Sequence, residues 1–202
     1  MSSIRAIIFD IGGVVVRTDW NKFFRKYVKQ SRIPSSRLQR ELIENPEWRE
    51  CYKGKLAEAD IWKRLERDSG IGSAIIRQVR TMWKNVFEID PEVMKIVEAL
   101  KKHYEVFALT NVGSDSAKFI GDMGVYKAFD DVVLSFEVGM VKPEQEIYHH
   151  LLREFKLEPD ECVFIDNLEQ NLPPAAELGI KTIKFDSVQQ VKRALKKLGV
   201  KI

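Results

Sequence analysis

The sequence predicts an α/β protein: a parallel β-sheet flanked by helices and interrupted near its start by an all-helical insertion. Three observations carry this. Ile7-Ile8-Phe9 is a short apolar run that ends at Asp10-Ile11-Gly12-Gly13, as expected of a strand buried on both faces that stops at a polar turn. From Asp90 onward, short apolar runs alternate with helix-length amphipathic segments, which implies βαβ units. Between Val16 and Phe87 no run reads as a strand, whereas helical spacing of apolar residues recurs throughout.

In chain order, Thr18 or Asp19 can N-cap a helix whose apolar face is Trp20, Phe23, Phe24 and Tyr27. After Pro34-Ser35-Ser36, the residues Leu38, Leu42 and Ile43 continue a second helical pattern. Pro46 starts a short helix with Trp48 and Tyr52, broken at Gly54. Residues 57–65, with Ile61 and Trp62, and residues 73–86, with Ile75, Ile76, Val79, Met82 and Trp83, complete the helical block. All four tryptophans fall inside it and read as the core of a small bundle. Pro91 sits favourably in the first turn of a helix running to Lys102. Residues 104–109, 132–134, 162–165 and 180–185 read as strands. The helices expected between and after them cover 114–123, 144–155, 173–178 and 188–198, with Gly179 as a C-cap.

Composition narrows the function classes. At 202 residues with 45% apolar content, the chain suits one large domain or a core carrying a smaller insertion. A net charge of +3 with both signs interspersed is too weak to suggest a nucleic-acid partner. Cys51 and Cys162 are far apart and lack CxxC spacing, as expected of free thiols in a reducing compartment. The first residues carry no basic and long apolar leader pattern, and no apolar run approaches the ~20 residues of a membrane span. A soluble, cytoplasmic protein without membrane partners, monomeric or homodimeric, is expected.

Asp10, Thr110 with Asn111, and Asp166 each close a strand. In a parallel sheet such ends lie along one edge and converge on one pocket. Lys142, in the loop Gly139-x-x-Lys142-Pro143, can reach the same edge. Two carboxylates, a hydroxyl, an ammonium and a glycine-lined turn suit a phosphate site with a hard cation, for which Mg²⁺ is the natural candidate. Gly12 and Gly13 let the ligand approach the main chain. His103, His149 and His150 show no metal-site spacing, and neither cysteine has a nearby histidine to activate it.

Phe9-Asp10-Ile11-Gly12-Gly13-Val14, Leu109-Thr110-Asn111, Gly139-x-x-Lys142-Pro143 and Phe164-Ile165-Asp166-Asn167 with Asn171 resemble, in order and spacing, the four motifs of the haloacid dehalogenase (HAD) superfamily. The nearest likeness is to small sugar-phosphate phosphatases and to the phosphatase domain of soluble epoxide hydrolases. The resemblance implies a Rossmann-like core formed by residues 1–17 and 88–202, with residues 18–87 as a C1-type cap. It implies a Mg²⁺-dependent phosphatase of a small phosphorylated metabolite, with Asp10 as the nucleophile that becomes an aspartyl-phosphate. Thr110, Asn111, Gly12, Gly13 and Lys142 would bind the phosphoryl group. Thr110 and Lys142 would share the catalytic work, and Asp10, the Gly12 carbonyl and Asp166 would hold Mg²⁺. Trp20, just past the first motif, would border the pocket mouth and contact substrate.

Two positions depart from the pattern. Gly12 stands where most of these phosphatases carry a second aspartate serving as general acid and base, a group typically worth ~10²–10⁴-fold. Asn167 replaces the second acid of the fourth motif. Two alternatives follow: a dehalogenase that uses Asp10 without a metal, leaving Asp166 no purpose, and a catalytically weak phosphate-binding protein, suggested by Gly12.

Overall fold

The computed structural model of the protein describes residues 3–18, 23, 34–42 and 44–202. Trp20, Asp19, Phe24 and Tyr27, and so nearly all of the helix expected after Thr18, lie outside the described residues.

The strands are β1 (Ala6–Phe9), β2 (Val16–Thr18), β3 (Phe87–Ile89), β4 (Glu105–Thr110), β5 (Asp131–Leu134), β6 (Cys162–Asp166) and β7 (Lys181–Lys184). The described helices are α1 (Ser35–Leu42), α2 (Glu47–Tyr52), α3 (Glu58–Asp68), α4 (Ser73–Met82), α5 (Pro91–Leu100), α6 (Ser114–Asp122), α7 (Ser135–Val138), α8 (Gln145–Glu154), α9 (Leu172–Glu177) and α10 (Val188–Lys197). Five strands form one sheet in the order β5-β4-β1-β6-β7, and every pairing in it is parallel. β1 is central, so the apolar run Ala6–Phe9 is buried throughout.

Side-chain alternation along β1 builds both halves of the core. Ile7 and Phe9 join Val93, Ile96 and Leu100 of α5 in one apolar layer. Ala6 and Ile8 join Ile147, Tyr148 and Leu151 of α8 in the other. The helices α1–α4 surround a third cluster that includes Leu42, Trp48, Ile61, Trp62, Leu65, Ile76 and Val79. Trp48 stacks on Trp83 at 5.6 Å, and Trp62 meets the two rings edge-on at 5.9 and 5.0 Å. Trp48 and Trp62 are therefore core, as their helical spacing suggested, and the half-buried Trp83 packs against them.

Three local features differ from the sequence expectation. β2 and β3 form an antiparallel ribbon, with Val16 opposite Ile89 and Thr18 opposite Phe87, where the helical block alone was expected. Three-residue strands are too short for alternation to reveal. The last helix of the block ends at Met82 and finishes as a 3₁₀ turn over Trp83–Val86. Ser135–Val138, where no helix was expected, makes one helical turn closed by Gly139 at φ 71°.

The ribbon is tied to the sheet by Asp90. Its backbone N–H donates to the Val15 carbonyl at 2.9 Å. Its carboxylate caps α5 through Glu92 N and accepts from Arg17 Nε at 2.7 Å. Both chain connections to the helical insertion are thereby fixed at one point beside the end of β1.

Candidate active site

Register places the two carboxylates. Phe9 pairs with Ile165, so Asp10 and Asp166 stand level on neighbouring strands at the C-terminal edge of the sheet. Two buried carboxylates side by side repel each other unless a cation lies between them. Lys142 supplies it: Nζ donates to Asp10 Oδ1 at 2.7 Å, to Asp166 Oδ2 at 2.7 Å and to the Leu109 carbonyl at 2.9 Å. All three ammonium protons are thus used. Nζ also lies 5.4 Å from the centre of the Phe164 ring. Burial opposes the Lys142 ammonium, but Asp10 and Asp166 outweigh it and hold its pKa above the ordinary value. Burial pushes the Asp10 carboxyl up to about 6; Lys142 opposes the shift and the charge of Asp166 adds to it.

Both oxygens of Asp166 accept hydrogen bonds. Oδ1 accepts from Leu168 N at 2.8 Å, and Oδ2 accepts from both Lys142 and Asn171 Nδ2, the latter at 2.9 Å. The residue is fully buried. Its carboxylate is enclosed by donors, and it fixes Lys142. Asn171 is held in turn by the chain around it, its carbonyl accepting from Tyr148 Oη at 2.7 Å.

The neighbour that does face Asp10 from this loop is Asn167. One terminal atom of its amide lies 3.2 Å from Asp10 Oδ2 and 3.0 Å from the Gly12 carbonyl oxygen. With nitrogen at that position the amide donates to both; with oxygen there, three oxygens face one another. Gly13 makes room for this contact. Its φ is +83°, and a Cβ there would come to 2.5 Å from the other terminal atom of the Asn167 amide. Gly12 has no atom within 4 Å of where a Cβ would stand, and its φ lies outside the left-handed region.

Thr110 ends β4, buried, on the same edge. Asn111 beside it does something sequence reasoning missed. Its Nδ2 donates to the Lys142 carbonyl at 2.8 Å and its Oδ1 accepts from Lys142 N at 2.9 Å. Both polar ends are spent on the Lys142 backbone, just before the cis Lys142–Pro143 bond. Asn111 therefore positions the lysine. Ser135, fully buried at the start of α7, similarly accepts from Val112 N at 2.9 Å and steadies the loop after β4. Trp20 lies outside the described residues.

Residues 4–179 match the family model described as haloacid dehalogenase-like hydrolase. The chain belongs to this family. The hydrolase is 25% identical over 189 residues to the D-ribitol-5-phosphate phosphatase of Bacteroides thetaiotaomicron, a match spanning 90% of this chain and 91% of that one. Among solved structures, a wild-type HAD-family enzyme from Bacteroides thetaiotaomicron in complex with magnesium and inorganic phosphate matches with a TM-score of 0.74 at 23% identity, over 90% of this chain and 94% of that one. The 2-haloacid dehalogenase from Pseudomonas syringae pv. Tomato DC3000 matches with a TM-score of 0.64 at 16% identity, over 96% and 99% of the two chains. Both structural likenesses speak to the fold, and the choice of chemistry falls to the site.

In the hydrolase the helical insertion is seated on the loops that carry the site. Glu58 of α3 accepts from Ser116 N at 2.8 Å and from Ser116 Oγ at 3.0 Å, at the start of α6. Burial pushes the Glu58 carboxyl up despite these bonds. A Cβ on Gly113 would strike Glu58 and Cys51, so only glycine lets the insertion come this close. Arg49 and Lys53, on and after α2, both pair with Glu144, two residues beyond Lys142. None of the described helices is long and apolar enough to cross a membrane.

Proposed function

We propose that this hydrolase is a Mg²⁺-dependent phosphatase acting on a small phosphorylated metabolite, with residues 18–87 serving as a cap. The observation that carries this reading is the meeting of Asp10 Oδ2, the Gly12 carbonyl and the Asn167 side chain at 3.0 and 3.2 Å. Mg²⁺ takes hard oxygen ligands at ~2.0–2.1 Å in near-octahedral array, which sets neighbouring ligands about 3 Å apart. The donor chemistry and the spacing both fit. Among the described residues no three His, Cys, Asp or Glu side chains converge on a metal position, so a backbone carbonyl and an amide oxygen have to complete the set. Displacement of a halide has no use for such a set. The ion would supply charge neutralisation for the phosphoryl oxygens.

In this reading Asp10 attacks phosphorus: an Asp10 oxygen–phosphorus bond forms as the ester oxygen–phosphorus bond breaks. Water then attacks the aspartyl-phosphate at phosphorus and frees inorganic phosphate, restoring the carboxylate. Thr110 and the Gly12 N–H bind phosphoryl oxygens, while the Gly13 N–H donates to the Val16 carbonyl at 2.8 Å and shapes the turn. Lys142, held by Asp166 and Asn111, keeps Asp10 ionised and in place. The cap excludes water from the attack. The relative named for D-ribitol 5-phosphate supports a phosphorylated polyol or sugar as the substrate class.

The test is hydrolysis of 4-nitrophenyl phosphate with Mg²⁺ and after chelation, beside halide release from 2-chloropropionate. Metal-dependent phosphate release without halide release is expected. Halide release that survives chelation would overturn the reading. Gly12, which offers no proton donor, favours one rival, a phosphate-binding protein with little turnover. Phosphate binding without hydrolysis of any ester would establish that rival.

A further inference from the structure

We infer that this hydrolase takes up its divalent cation and the phosphoryl group as a mutually dependent pair, with the Asn167 amide closing the cation position until phosphate arrives. The inference rests on the phosphatase reading above and concerns how that site is loaded.

An amide has two unlike ends related by a half-turn about Cβ–Cγ. With nitrogen toward Asp10, Asn167 donates to Asp10 Oδ2 and to the Gly12 carbonyl, and neither acceptor is left unpaired. With oxygen toward them, three oxygens stand at 3.0 and 3.2 Å with no proton between, an arrangement only a cation satisfies. The same side chain is thus a hydrogen-bonded bridge in one state and a ligand in the other. A carboxylate at this position would serve only the second. The amide packs against Gly13, where even a Cβ would come to 2.5 Å, so the exchange is a turn in place rather than a swing away.

Charge gives the same answer. Asp10, Asp166 and Lys142 leave the buried site with one net negative charge. An arriving cation finds a single carboxylate among its three protein oxygens and has to displace two hydrogen bonds. Mg²⁺ sites of this kind are completed by substrate phosphate. Phosphate arriving alone meets two carboxylates, and the Lys142 ammonium between them already has its three donors engaged. Each ligand is poorly matched to the site alone and well matched once the other is present. Such coupling is reciprocal: each tightens the other by one common factor.

Mn²⁺ is a suitable probe, since it takes the same hard oxygen ligands and its free ion is seen by electron paramagnetic resonance. Mn²⁺ would be titrated into wild-type protein with and without saturating inorganic phosphate, and phosphate with and without Mn²⁺. The expected result is at least ~10-fold tighter Mn²⁺ binding with phosphate, mirrored by the same factor for phosphate. Asn167→Asp should bind Mn²⁺ without phosphate at least ~10-fold more tightly than wild type and show a smaller phosphate effect. The wild-type titrations decide the matter even if that variant does not fold. Equal Mn²⁺ affinity with and without phosphate, or an Asn167→Asp affinity no tighter than wild type, would overturn the inference while leaving the phosphatase reading in place. Absence of Mn²⁺ binding under every condition would overturn both.

Discussion

Around Asp10 Oδ1 every partner is fixed: Lys142 Nζ at 2.7 Å, Ile11 N at 2.8 Å, and beyond the lysine an Asp166 that is itself enclosed by Leu168 N and Asn171. Around Oδ2 the neighbours are the half-buried Asn167 amide and the carbonyl of the exposed Gly12. One half of the site is a charge scaffold completed when the sheet forms. The other half holds groups that can change partners without disturbing the core. Preorganised charge and exchangeable ligands are both needed for phosphoryl transfer, and here a single carboxylate separates them.

Asp10 belongs to both halves, so its loss should have the largest effect. Asp10→Asn is nearly isosteric and removes a buried charge, so the fold should persist while turnover of aryl phosphates falls by ~10⁴-fold or more. Residual turnover above about a hundredth of wild type would show that the nucleophile lies elsewhere.

Breaking the fixed half should cost stability. Lys142→Met leaves Asp10 and Asp166 buried side by side without their cation, at a cost of ~3–5 kcal/mol in urea unfolding. Adding Asp166→Asn should return part of that loss, because the two substitutions share one network. A loss below about 1 kcal/mol would mean that the ion pairs are not what holds this half together.

The exchangeable half can be sharpened at Gly12. The open space and ordinary φ there allow an aspartate without strain. If leaving-group protonation limits the rate, Gly12→Asp should raise turnover of alkyl phosphates by up to ~10²-fold and that of aryl phosphates far less. A well-folded variant with no gain on alkyl phosphates would place the proton donor elsewhere. Among other acids that could take on that task, Glu137 and Glu169 are both exposed, and Asp19 lies outside the described residues.

How much of this was legible in the sequence follows from what each residue contacts. Ile7-Ile8-Phe9 and Cys162-Val163-Phe164-Ile165 announce buried strands because burial on both faces demands continuous apolar runs. Asp10, Thr110 and Asp166 were readable as site residues because each stands at or just beyond the end of such a run. Their division of labour was not. Asp166 holds Lys142 because register sets it level with Asp10, and register is a tertiary fact. Asn111 reaches the Lys142 backbone 31 residues away, a contact with no local sequence signal. Asn167 was visible only as a missing acid; its approach to Asp10 depends on the turn at Gly13. The β2–β3 ribbon escaped notice because three residues per strand carry no periodicity.

The smallest expected effect lies at the seat of the insertion. The raised pKa of Glu58 means that the folded protein binds its proton more tightly than the unfolded chain does. The associated stability is present below the ordinary glutamate pKa and is lost as pH rises through the folded value. Glu58→Gln should therefore match wild type in thermal melts below about pH 4 and equal or exceed it near neutrality, by no more than about 1 kcal/mol. A variant that is less stable only at neutral pH would reverse the sign of the burial effect.

The central claim is that Asp10 carries the phosphoryl group. Its most direct test is to quench the protein during turnover of an aryl phosphate with Mg²⁺, reduce it with borohydride, and read the peptide containing residues 6–17 by mass spectrometry. An acyl phosphate on Asp10 is reduced to homoserine, so the expected result is that conversion at position 10, dependent on substrate and absent in Asp10→Asn. Continued phosphate release with Asp10 unmodified at every quench time would contradict it.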